Sequence, residues 1–270
     1  MIEFIIITRI KKKGTVIDMK TAIQIYGLRN HLGDEIKETL KRISGMGYDG
    51  VEWIGVAGRT LEELAEMSKE AGLEIFSRHI GINEILQRDE EFLDTLKTLG
   101  FKYLPIGALP ADRRAGGDLF NETLKELEIF CALAKEKGLY VMYHNHDFDL
   151  NYIKDTDKRE LDVLLDSVSE ELLGAELDTC WLYSGGVDPA GYIAKYKNRA
   201  PVIHLKDCVK EGGRSGYRSV GTGVLDFEGI LKECDKAEWL CVEQDAPAEG
   251  LDEFECARIS AENLNKLLGR

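Results

Sequence analysis

The sequence predicts an α/β protein, a single-domain (β/α)8 TIM barrel. Eight short apolar runs recur at roughly 30-residue spacing, helical patterns lie between them, and glycine-ended helix-to-strand junctions repeat. The runs are TAIQIY at 21–26, GVEWI at 50–54, LEIFS at 73–77, KYLPI at 102–106, LYVMY at 139–143, GAELD at 174–178, PVIHL at 201–205 and WLCVE at 239–243. Each has the length of a buried strand. Parallel strands need crossover connections, and eight such units close a barrel. The competing topology, a doubly wound open sheet, usually carries a glycine-rich turn after its first strand. QIYGLRNHLG has no GxGxxG.

The intervening segments read as helices in turn. DEIKETLKRI places Ile36, Leu40 and Ile43 on one face. TLEELAEM opens with Thr60 and Glu63 at capping-box spacing. Asn121 is expected to open NETLKELEIFCALAKEKG, which keeps Leu124, Leu127, Cys131 and Ala134 together, and LNKLL closes the last unit. KEAGLEIF and KEKGLYVM each end a helix in Gly and pass straight into a strand, as a left-handed C′ cap does. GYDGVEW and GFKYLPI form a second similar pair.

Residues 1–18, MIEFIIITRIKKKGTVID, place an apolar run before a basic cluster, the reverse of a secretory signal. Met19 opens a more ordinary start, MKTAIQIYG. The expected organisation is an N-terminal extension at 1–18 outside the fold, with a short docking arm as the alternative, and a catalytic barrel over 19–270.

With 270 residues and 44% hydrophobic content the chain is long enough for one large core. A formal net charge of −14 argues against nucleic acid as a partner, because affinity for phosphate backbones rests on Lys and Arg. No apolar stretch approaches the ~20 residues needed to span a bilayer. Six cysteines without CxxC spacing read as free thiols in a reducing cytoplasm. The outward helix faces leave room for a homo-oligomer, which composition does not locate.

In such a barrel, functional groups sit at the carboxyl ends of strands. Unit five ends in His144 and His146, unit six in Asp178, unit seven in His204 and unit eight in Glu243. Period-two alternation turns these positions inward, with Met142, Glu176, Val202 and Cys241 two residues below them. Two carboxylates and two imidazoles gathered at one rim need a compensating partner, and a divalent cation is the simplest. Oxygen and imidazole donors without a thiolate suit one ion of Mn²⁺ first, with Mg²⁺, Co²⁺, Fe²⁺ or Zn²⁺ as alternatives. Around this centre Glu52 either binds a substrate hydroxyl or pairs with a cation. His79 is either a substrate contact or a structural rim residue. Trp53, Trp181 and Tyr183 offer an apolar wall to a substrate, and Lys206 points inward to hold a substrate oxygen or to pair with a carboxylate. The loop KEGGRSGYRSVGTG at 210–223 carries Arg214 and Arg218; it reads either as a phosphate cradle or, lacking P-loop spacing, as a flexible loop.

The strings YHNHDFDL, AELDTCWLYSGGVDP, VIHLKD and VEQD, in this order, resemble the sugar phosphate isomerase/epimerase group within the xylose isomerase-like TIM barrels. The resemblance runs over most of 21–270. It implies a single catalytic divalent metal held by Asp178, His204 and Glu243, with His144 standing where ketose epimerases usually have a glutamate and His146 as its close rival. Trp181 stands where epimerases commonly carry a substrate-binding histidine. The implied activity is metal-dependent isomerisation or epimerisation of a keto-sugar or related carbohydrate, by proton abstraction next to a carbonyl, with Glu243 as base. The replaced glutamate argues against a symmetric two-carboxylate shuttle. A lyase that expels a β-hydroxyl or β-glycosyl group, with His144 or His146 as acid, is the alternative, and a non-catalytic sugar-binding barrel a further one. The abasic-site endonuclease branch needs more metal ligands than five histidines and this charge offer.

Overall fold

A computed structural model describes residues 19–270; the expected extension at 1–18 lies outside the described residues. Eight parallel strands form a closed barrel: β1 (Lys20–Gln24), β2 (Gly50–Ile54), β3 (Glu74–His79), β4 (Tyr103–Ile106), β5 (Tyr140–His144), β6 (Leu173–Asp178), β7 (Val202–Leu205) and β8 (Trp239–Val242). Each neighbours its successor and β8 closes on β1, so the open-sheet alternative is excluded. No helix among the described residues is long and apolar enough to cross a membrane.

Local signals start and stop the crossover helices. In α1 (Ile36–Gly45) the buried stripe is Ile36, Leu40 and Ile43. Helix α2 (Leu61–Glu70) begins with the reciprocal capping box of Thr60 and Glu63. Gly72 and Gly138 take φ of +80° and +76° just past their helices, a conformation that costs glycine little. One expectation is corrected: α3 (Phe120–Glu136) starts before Asn121, at Phe120, and no side chain among the described residues caps it. The helix instead enters through backbone bonds from Phe120 to Gly117 and from Thr123 to Leu119. All six cysteines are free and buried.

The barrel interior is layered along its axis. Ala22, Phe76, Tyr103, Met142, Val202, Trp239 and Cys241 form an apolar plug at the amino-terminal end, with Phe76 stacked on Trp239 at 3.9 Å between ring centroids. Burying such large side chains stabilises the barrel by about 1.5–3 kcal/mol each. Above the plug the same inward positions turn polar: Glu52, His79, His144, Glu176 and His204, all buried. His79 joins them because the pairing of β2 with β3 slips one residue, Val51 facing Ile75 but Glu52 facing Ser77. The slip reverses the alternation of β3, so that Phe76 and His79, an odd number of residues apart, both face inward.

Candidate metal and active site

Asp178 ends β6 and caps α4 (Thr179–Ser184): its Oδ1 accepts from the Trp181 backbone N–H at 2.8 Å. This commits one carboxylate oxygen and leaves Oδ2 buried, with no hydrogen bond among the described residues and with the Lys206 ammonium 3.3 Å away. Asn145 fixes the same strand end from the other side, its Oδ1 accepting from Asp178 N–H at 2.9 Å. Thr179 Oγ1 accepts from Lys206 N–H at 3.0 Å and so ties β6 to β7.

His144, Asp178, His204 and Glu243 each bring one donor atom to within 4.8 Å of the others, and all four are buried. His204 Nδ1 is 3.0 Å and His144 Nε2 4.0 Å from Glu243 Oε2. Two imidazoles and two carboxylates fit a divalent ion of borderline hardness, and this set of four includes no thiolate of the kind that closes a structural zinc site. His146 is not one of these four, though its ring lies 5.0 Å from that of His144. Its ring stacks on Phe148 at 5.1 Å, lies 5.6 Å from Trp181, and leaves Nδ1 buried and unpartnered.

Below the four donors lies a second charged layer. Glu176 Oε2 is 3.0 Å from His79 Nε2 and 3.1 Å from His144 Nδ1, while Glu52 Oε1 is 2.9 Å from His79 Nε2. His204 Nε2 is at ion-pair distance from both carboxylates, 2.9 Å from Glu52 and 3.2 Å from Glu176, though off the hydrogen-bond direction. Burial opposes a charge on His79, yet Glu52 and Glu176 outweigh it and hold the ring up at about 10. His204 is raised in the same way against its burial. His144 goes the other way, to about 3, because burial dominates and its one carboxylate hydrogen bond compensates only in part.

Lys206 supplies the fixed cation. Fully buried, its Nζ lies 2.9 Å from Asp245, 3.0 Å from Glu243 and 3.3 Å from Asp178, with the Trp181 ring 4.8 Å away. Burial would neutralise Glu243, but Lys206 and the adjacent imidazoles keep its carboxyl well below the usual range. For Asp178 burial wins over Lys206, and the carboxyl rises to about 7.

A model of the xylose isomerase-like TIM barrel matches residues 40–259. The chain belongs to that family. Among relatives in the family, an inosose dehydratase 1 of Bacillus cereus is 31% identical over 263 residues, covering 83% of this chain and 87% of the relative. Several other matches to inosose dehydratases are shorter, and the chain spans only 39% of one from Clostridium perfringens and about half of others. Among solved structures, a sugar phosphate isomerase/epimerase from Parabacteroides distasonis superposes with a TM-score of 0.78 at 22% identity, over 92% of this chain and 98% of that one. The IOLI protein, solved with a bound zinc atom, superposes at 0.68 with 15% identity over 93% and 98% of the two chains. These two likenesses concern the fold alone.

The structure gathers His144 with Asp178, His204 and Glu243, and the His146 ring lies 5.0 Å from that of His144. Glu52 and His79, read from sequence as rim groups, are below the donors and paired with one another. Trp181 and Lys206 border the donors from above, and Arg214 reaches over the Trp181 ring at 5.2 Å. Arg214 is itself clasped to Asp147, with contacts of 2.5 and 2.6 Å. In the glycine loop after β7 the N–H groups of Gly221 and Gly223 donate to Asp207, that of Gly213 to Ser184 Oγ and that of Gly216 to the Gly213 carbonyl. Sequence reasoning missed Glu176 and Asp245 as members of the site. A carboxylate at an inward position inside the apolar run of β6 was the available signal for Glu176.

Proposed function

We propose that this chain is a divalent-metal-dependent enzyme that abstracts a proton next to the carbonyl of a keto-sugar or cyclic polyol ketone. The observation that carries the reading is the convergence of His144, Asp178, His204 and Glu243 donors at the carboxyl end of the barrel. In this reading those four residues hold the metal, which when bound polarises a carbonyl or hydroxyl oxygen and lowers the cost of removing the adjacent proton.

The remaining work falls to the side chains. Glu243 is held ionised beside Lys206 and takes the proton. The Lys206 ammonium stabilises the negative charge that develops on the neighbouring oxygen. Trp181 walls the mouth against water and packs against the sugar ring. His146, with an unpartnered Nδ1 at the edge of the donors, exchanges a proton with the hydroxyl group opposite Glu243.

The imidazole-for-carboxylate asymmetry favours elimination of a β-hydroxyl or β-linked group over a symmetric epimerisation. The inosose dehydratase relatives support that branch, and the structural likeness to isomerases/epimerases keeps proton return as the second reading. The test is incubation with keto-inositols and 3-keto-sugars in D₂O with added Mn²⁺, Co²⁺ or Zn²⁺. Loss of water or of the β-substituent identifies the lyase; deuterium uptake into a recovered isomer or epimer identifies the second reading. Absence of both, with no divalent metal bound, overturns the enzymatic proposal.

A further inference from the structure

We propose that Glu176 is a positioning residue: its Oε2 holds His144 with the proton on Nδ1, so that the Nε2 lone pair faces the metal-ligand set. This rests on the metal-binding reading given above and adds to it the group that sets the donor atom.

An ionised carboxylate accepts hydrogen bonds and donates none. The ring nitrogen of His144 that faces Glu176 is Nδ1, at 3.1 Å, so that nitrogen carries the hydrogen. The other nitrogen, Nε2, is turned toward Glu243. His204 presents the opposite edge: Nε2 faces Glu176 and Glu52, and Nδ1 faces Glu243. One carboxylate therefore meets both rings from below while sending a different nitrogen of each to the same point.

Strand register explains the inversion. His144 on β5 pairs beside Glu176 on β6, whereas His204 on β7 pairs beside Asp178, two residues further along β6. Glu176 is thus level with one ring and below the other. His79 completes the arrangement by bridging Glu176 to Glu52, which keeps the two acidic groups together in a fully buried layer. Outer partners of metal-ligating histidines fix tautomer and orientation, and their loss generally weakens metal affinity about 10- to 100-fold.

The test uses histidine-labelled full-length protein, in which five imidazoles are resolved by ¹⁵N–¹H correlation, together with titration by Mn²⁺ and Zn²⁺. In metal-free wild type, His144 should carry its proton on Nδ1. Glu176→Gln, which keeps the shape of the side chain, should mix the His144 tautomers and weaken metal binding about 10- to 100-fold. Glu52→Gln should leave the His144 tautomer unchanged. A wild-type His144 protonated on Nε2, or a Glu176→Gln variant with unaltered tautomer and affinity, overturns the proposal. If wild type binds neither ion, the metal-binding reading fails, and the metal-free tautomers still decide the role of Glu176.

Discussion

Lys206 Nζ lies 3.0 Å from Glu243 Oε2, and neither the ammonium nor the carboxylate has meaningful contact with solvent. Asp178 and Asp245 complete the surroundings of that ammonium. Removing the cation leaves buried carboxylates without compensation, which costs about 3–5 kcal/mol when one partner of a buried pair is lost. Lys206→Met should therefore melt well below wild type in metal-free buffer. Because a divalent ion offers replacement charge to Asp178 and Glu243, Mn²⁺ should raise the Tm of the variant more than that of wild type. Equal melting temperatures without metal would remove Lys206 from this role.

The two histidines of YHNHDFDL should separate by isothermal titration. His144→Ala is expected to weaken Mn²⁺ or Zn²⁺ binding at least 100-fold, about 2.7 kcal/mol. His146→Ala should leave metal affinity within about threefold, less than 0.7 kcal/mol, and lower turnover instead. A reversed ranking would make His146 the ligand.

His79 gives the metal-free protein a distinct pH signature. Its ring titrates at about 10 in the fold against an ordinary value of 6.5. The stabilisation from its charged form is fully present below pH 6.5 and is lost as pH rises through about 10. The destabilisation caused by His79→Gln, read from urea melts, should thus be largest at pH 6, about 3 kcal/mol, and shrink steadily toward pH 10. A pH-independent difference would mean that His79 is neutral in the folded protein.

Asp207 organises the loop after β7 by accepting backbone N–H groups from Cys208, Gly221, Gly223 and Leu225. Asp207→Ala leaves several N–H groups unpaired at about 1–3 kcal/mol each where they are buried. Limited proteolysis should then cut within 209–223 much faster than in wild type, while Arg214→Ala, which loses only an exposed ion pair with Asp147, should change global stability by less than about 1 kcal/mol. Resistance of the Asp207→Ala loop to cleavage would count against this account.

Much of this was legible in the sequence because it depends on neighbours along the chain. Apolar runs, helix stripes, the Thr60–Glu63 box and the glycines at 72 and 138 are local features, and they define the units that close into a barrel. Period-two alternation extended from those strands placed His144, Asp178, His204 and Glu243 at one rim. Only the tertiary structure decided the layer beneath. His79 turns inward through a slip in pairing between β2 and β3, and it meets Glu176 from 97 residues away. The grouping of His144 with Asp178, His204 and Glu243, the clasp of Arg214 on Asp147 and the loop-binding role of Asp207 follow from strand register and barrel closure. Those are contacts between distant segments, and a linear pattern carries no distance between residues that meet only when the barrel closes.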